Sequence, residues 1–157
     1  MLIMLPVDGT ELSLDAARHL INLVRRGLSA RVLLANVQDA PHLYEVVLAP
    51  DPETLDAAAD GAGQHALQAA GELLSESGIT WTSDIGHGDP ARVLLDLADR
   101  HGCEAIVMGS GRPGILSNAR LGSVAQAVVQ HATIPVTIVR HAEPEAEPDE
   151  DAGTSTL

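Results

Sequence analysis

The sequence predicts a single α/β domain, an open parallel five-stranded sheet with helices on both faces. Three observations predict it. Short apolar runs of strand length alternate with longer stretches whose apolar residues recur at helical spacing. The apolar residues are almost all aliphatic, with Tyr44, Trp81 and no Phe, as suits strands buried on both faces. The run Ala105-Ile106-Val107-Met108 stops in glycines and passes through a polar loop towards a helical stretch. That junction is where α/β sheets hold anions.

The elements follow in order. Met1–Val7 is a continuous apolar run that turns at Asp8-Gly9. Thr10 or Ser13 can cap the next helix, in which Leu12, Ala16, Leu20, Leu23 and Val24 recur up to Gly27, a natural stop. Arg31–Val37 is the second strand. Gln38–Pro52 is loop-like, with Pro41, Pro50 and Pro52. Asp51-Pro52-Glu53 opens an alanine-rich helix to about Ser77. Gly61 and Gly63 weaken it by roughly 1 kcal/mol each, so a break there is one expectation. Ile79–Ile85 alternates as a third strand and ends at Gly86-His87-Gly88. Asp89-Pro90 starts a helix with Val93, Leu94, Leu97 and Ala98 on one face. Cys103–Met108 is the fourth strand, Ala119–His131 a helix and Thr133–Val139 the last strand, with Pro135 suited to an edge. Alternating strands and helices with right-handed crossovers and one reversal of winding give a Rossmann-like three-layer sandwich. The domain is expected over 1–140. The tail 141–157, rich in Pro, Glu and Asp, is expected to be disordered.

Composition narrows function. The formal net charge is −13, and the six acids of the tail leave a body of about −7. Nucleic acid and anionic membrane surfaces need a basic patch and are not expected partners. No apolar run approaches the ~20 residues that cross a bilayer. The start Met1–Pro6 lacks the basic region of a signal peptide. All nine cationic side chains are Arg, so there is no phosphate-gripping or Schiff-base lysine. The single Cys103 fits a reducing compartment and, at the head of a buried strand, an inert packed thiol. The cytoplasm is the expected location.

Four segments carry a family resemblance: Leu5-Pro6-Val7-Asp8-Gly9-Thr10, Gly88-Asp89-Pro90-Ala91, Ile106-Val107-Met108-Gly109-Ser110, and Gly122-Ser123-Val124-Ala125 followed by Ile134-Pro135-Val136-Thr137-Ile138-Val139. Over roughly 1–140 the chain resembles the universal stress protein family. The resemblance implies a dimer paired through the last strand, 134–139. It also implies, in one branch, ATP held by a signature of Gly, two residues, Gly, nine residues, Gly, then Ser or Thr. Carried over by position, Asp8 would meet the ribose side, with Pro6 and Val7 beside it. Val37 and Met108 would flank adenine. Gly109, Gly122 and Ser123, followed by Val124, would hold the phosphates. The middle departs from the signature: the second glycine falls at Arg112, with glycines at 111 and 114 instead. Either Gly111 takes over, or Arg112 enters the pocket, where it would bond phosphate or fill its place.

The implied function is a stress-response regulatory protein that binds ATP or a related adenine nucleotide, with magnesium as a possible companion, an unidentified protein partner and at most slow hydrolysis. The alternative is a nucleotide-free dimeric interaction module with Arg112 in the pocket. Gly109-x-Gly111-x-x-Gly114 spells a dinucleotide pattern, but it follows the fourth strand, contains Pro113 and lacks the acidic residue about 20 positions on. The seven histidines show no metal-ligand spacing. Only His87, beside a strand end, has a functional reading, and surface histidine is favoured even there.

Overall fold

The computed structural model describes residues 1–38, 52–111 and 121–141. The described elements run β1 (Leu2–Pro6), α1 (Glu11–Arg25), β2 (Arg31–Gln38), α2 (Pro52–Glu76), β3 (Trp81–His87), α3 (Pro90–His101), β4 (Ala105–Gly109), α4 (Ser123–His131) and β5 (Val136–Val139). The strands form one parallel sheet in the order β3-β2-β1-β4-β5. The chain winds outward from β1 to β3, then resumes on the other side of β1, which puts the switch point between β1 and β4.

Alternation along the strands sorts the core into two layers. Ile3, Leu5 and Val7 pack with Val32, Leu34 and Val107 against α1 (Ala16, Ala17, Leu20) and α2 (Leu67, Ala70, Leu74). Met4, Leu33, Ala35, Ile106 and Met108 face α3 (Leu94, Leu97, Ala98) and α4 (Ala125, Val128). The expected three-layer α/β fold is therefore observed.

Local chemistry explains the boundaries. At the start of α3 the Asp89 carboxylate accepts from the Arg92 N–H at 3.0 Å, Pro90 occupies the first turn, and Gly102 ends the helix left-handed at φ 65°. α2 runs to Glu76, close to the expected end at about Ser77, and is continuous past Gly61 and Gly63. β3 starts at Trp81, because Gly78 (φ 71°) turns the chain and the Ile79 N–H returns to Leu74. Gly86 lies within this strand rather than ending it, under Val93 of α3, where a Cβ would fall 2.2 Å from Val93 Cγ1. β5 starts only at Val136, since Pro135 has no N–H to give; its carbonyl accepts from the Ile106 N–H. α4 starts at Ser123 rather than 119, because Gly122 is extended (φ −60°, ψ 159°). The segments 39–51 and 112–120, with the loop around Tyr44, Asp51 and Arg112, lie outside the described residues, as does the tail from 142. His141 itself is placed, with Nδ1 2.5 Å from Asp15 Oδ2.

Candidate functional site

A cavity of about 440 Å³ opens at the carboxyl ends of the strands, over the switch point. Its walls come from six places. β1 and the turn after it give Pro6, Val7 and Asp8; the start of α1 gives Thr10, Leu12 and Ser13. The end of β2 gives Ala35, Asn36 and Val37, and α3 gives Pro90 and Leu94. Met108, Gly109 and Gly111 come from β4 and beyond, and Gly122, Ser123 and Val124 from the head of α4.

The turn after β1 is fixed by Asp8. Its Oδ1 accepts from the Thr10 N–H at 2.9 Å and from the Thr10 hydroxyl at 2.6 Å. Asp8 follows one residue after buried Val7, so its carboxylate is exposed at the cavity rim while its backbone is anchored. A carboxylate has about four lone-pair sites, and Thr10 takes two, both on Oδ1. Thr10 stands at the cap position of α1, but its hydroxyl serves Asp8 and makes no cap bond. Ser13, expected as an alternative cap, is buried and donates its hydroxyl to the Thr10 carbonyl at 2.7 Å.

The opposite wall is backbone. Gly109 lies so close to α1 that a Cβ would sit 2.7 Å from the Leu12 carbonyl oxygen. Gly111 has φ +91°, and a Cβ there would fall 2.8 Å from Gly122 Cα. Only glycine meets both demands. The Gly122 N–H donates to the Ser110 carbonyl at 2.8 Å, and the Ser110 N–H to Val139 at 2.9 Å. The head of α4 is thus tied to the ends of β4 and β5. Gly122 caps α4 without a side chain. The first N–H groups of a helix have no partner within it and carry partial positive charge. With no cap side chain over them, Ser123 and Val124 can offer theirs to an anion in the cavity.

The base of the cavity is apolar: Ala35 and Leu94 are buried, as is Met108, with Val37 alongside. One cavity is thus lined by a carboxylate, a helix N-terminus and apolar side chains. That combination suits a ligand with a flat apolar body, hydroxyls and an anionic end.

Of the anticipated site residues, Pro6, Val7, Asp8, Val37, Met108, Gly109, Gly111, Gly122, Ser123 and Val124 are brought together on this cavity. Arg112 lies outside the described residues. His87 is exposed and does not line it. Thr10, Leu12, Ser13, Asn36, Pro90 and Leu94 also line the cavity and were not anticipated there. The signal for Asn36 was a lone amide in the apolar run Val32–Val37. Pro90 and Leu94 carried none, being ordinary helix-start and core residues.

Two titratable groups are shifted. The Asp15 carboxyl is held below its usual value by the bond from His141, with Arg18 assisting at 2.9 Å. Burial pushes the Cys103 thiol up, which keeps it protonated and unreactive. Neither lines the cavity.

The model of the universal stress protein family matches residues 1–140. The chain belongs to the universal stress protein family. Among curated family members, Universal stress protein MJ0531 of Methanocaldococcus jannaschii is 31% identical over 139 residues, covering 88% of this chain and 81% of that one. Universal stress protein YxiE of Bacillus subtilis is 32% identical over 140 residues, covering 85% and 95%. Among solved structures, a family protein of Arabidopsis thaliana with AMP bound superposes with a TM-score of 0.67 at 21% identity, covering 90% and 92%. A universal stress protein in complex with cAMP gives a TM-score of 0.65 at 20% identity, covering 88% and 96%. At these identities the structural likeness is one of fold. Among the described residues no helix is long and apolar enough to cross a membrane.

Proposed function

We propose that this universal stress protein binds an adenine nucleotide in the cavity at the β1–β4 switch point and acts as a regulatory binding protein. The observation that carries the reading is the juxtaposition of the Asp8 carboxylate with the side-chain-free head of α4 in one cavity with apolar side chains. In this reading adenine lies between Val37 and Met108, and Asp8 accepts from ribose hydroxyls with its free oxygen. The phosphate meets the N–H groups of Ser123 and Val124 and the Ser123 hydroxyl, while Pro6, Val7, Gly109 and Gly111 shape the walls. The AMP-bound and cAMP-bound relatives of the same fold support an adenine nucleotide as the ligand class.

Arg112 and Arg120 flank the signature glycines in sequence and are the cations the chain offers there to further phosphates. Where ATP is the ligand, magnesium would arrive on the triphosphate oxygens with its own waters. The chain has no lysine to cradle a transferring phosphoryl group, so the proposed role is binding, with at most slow hydrolysis. A homodimer through the edge of β5, a cytoplasmic location and a regulatory protein partner complete the proposal.

Native mass spectrometry of protein purified without added nucleotide tests the reading. A co-purified mass of AMP, ADP, ATP or a cyclic form supports it. Protein that carries none, and binds none when AMP or ATP with magnesium is added, overturns it.

A further inference from the structure

Asn36 is one of two buried polar residues in the described core, 3% exposed, at the end of β2. Its Nδ2 donates to the Val7 carbonyl at 2.7 Å, and its Oδ1 accepts from Gln38 Nε2 at 2.5 Å. The carbonyl accepts only, so the amide nitrogen must face it, which settles the orientation of the side chain. The Val7 N–H donates to the Ala35 carbonyl at 2.8 Å. Both polar groups of Val7 are therefore held by β2.

A peptide unit is planar and trans. Holding the Val7 carbonyl sets the plane of the Val7–Asp8 peptide and directs the Asp8 N–H the opposite way. From that plane the chain turns into the bonds between Asp8 and Thr10. Asn36 thus acts on Asp8 through the Val7 carbonyl.

The position of Gly63 fits the same device. It is buried in the middle of α2, where glycine weakens a helix. A Cβ there would stand 2.9 Å from Asn36 Oδ1 and 3.0 Å from Ile85 Cδ1. Gly61, two residues earlier, meets nothing within 4 Å. The glycine at 63 makes room for the amide that grips Val7.

We propose that Asn36 is a positioning residue of the nucleotide site, orienting the Val7–Asp8 peptide, and that Gly63 of α2 holds Asn36 in place. As a statement about ligand affinity this rests on the adenine-nucleotide reading above. As a statement about the turn it does not.

The Asn36→Asp exchange separates the two bonds. A carboxylate still accepts from Gln38 but opposes the Val7 carbonyl, oxygen to oxygen. Once protonated it donates there again. Burial and the facing carbonyl raise the introduced carboxyl above the ordinary ~3.9, so a pH series reads the switch.

The test is AMP titration of the full chain and of Asn36→Asp at about pH 8 and about pH 5, compared at each pH so that titration of AMP itself cancels. The expected result is about tenfold weaker binding than the native chain at the higher pH, the worth of one buried hydrogen bond, and a gap that closes at the lower. Equal affinity at both values in a folded variant overturns the proposal. Amide spectra of the unliganded proteins keep the two claims distinct. In Asn36→Asp the Asp8, Gly9 and Thr10 resonances should move and titrate with the introduced carboxyl. Gly63→Ala, which pushes on Asn36 from α2, should move the same three, and it serves alone if the first variant does not fold. If they stay in place while only neighbours of the mutated residue shift, Asn36 does not position the turn, whatever the protein binds. If they move but the native chain binds no AMP, the nucleotide reading alone fails.

Discussion

At the scale of single residues, Asp8 and Gly111 have the most to answer for. Asp8 accepts twice from Thr10 through one oxygen and leaves the other for a ligand. Asp8→Ala should lower AMP affinity by roughly ten- to a hundredfold, since a hydrogen bond to a charged group is worth about 1.5–3 kcal/mol. Calorimetric titration checks this. Gly111→Ala meets two obstacles, a φ of +91° and the Gly122 backbone 2.8 Å away, so it should displace the head of α4 and abolish measurable binding. Outside the cavity lining, His141 bonds Asp15 and holds its carboxyl down. A carboxyl depressed in the folded state adds stability above its unfolded value, here near 3.8, and that stability is lost as pH falls through the lower folded value. His141 is exposed and Asp15 partly so, so His141→Ala should cost under about 1 kcal/mol at neutral pH. In urea unfolding the difference from the native chain should vanish in strong acid; a constant difference down to the lowest pH would refute the link.

At the scale of elements, similar glycines do unlike work. Gly86 of β3 lies under Val93, and Gly86→Ala should destabilise by about 1–3 kcal/mol through overpacking. Gly61 of α2 faces open space, and Gly61→Ala should stabilise by about 0.5–1 kcal/mol. Urea denaturation measures both, and the same sign for the two would contradict the packing described here. These contrasts also mark what the sequence can and cannot show. Strand and helix identity was readable from period and caps: Asp89-Pro90 and Gly102 bound α3 as their chemistry demands. The heights at which elements begin were not. Ala119–Leu121 have ordinary helix-forming or neutral character, and only the bond from Gly122 to Ser110, between distant parts of the chain, shows that α4 starts at Ser123. Likewise Gly63 of α2 reads as weakness, because the Asn36 and Ile85 side chains that need the space come from other elements.

At the scale of the molecule, the winding reversal between β1 and β4 creates the crevice, and the motifs at strand ends gather there because a parallel sheet points all its carboxyl ends one way. Asp8, Gly109 and Gly122 were legible as cavity-lining residues for that reason. Val37 and Met108 of the floor came from the family resemblance; Ala35, Leu94 and the support from Asn36 were hidden among residues of a buried strand and helix. β5, Val136–Val139, is the edge strand of the described sheet, at the far end from β3. Pro135 and Val139 turn their carbonyls to β4, so Val136 and Ile138 face the edge. If dimers form there, Val136→Pro, which removes an edge-facing N–H, should give a monomer by light scattering, and an unchanged dimer would move the interface elsewhere.

The central claim is that the cavity between Asp8 and the head of α4 holds an adenine nucleotide. Calorimetric titration of the native chain with AMP tests it most directly. Saturable binding is expected at one site per chain with a Kd of roughly micromolar order, lost in Gly111→Ala and weakened in Asp8→Ala. The absence of binding heat with AMP, and with ATP and magnesium, up to millimolar concentration would contradict it.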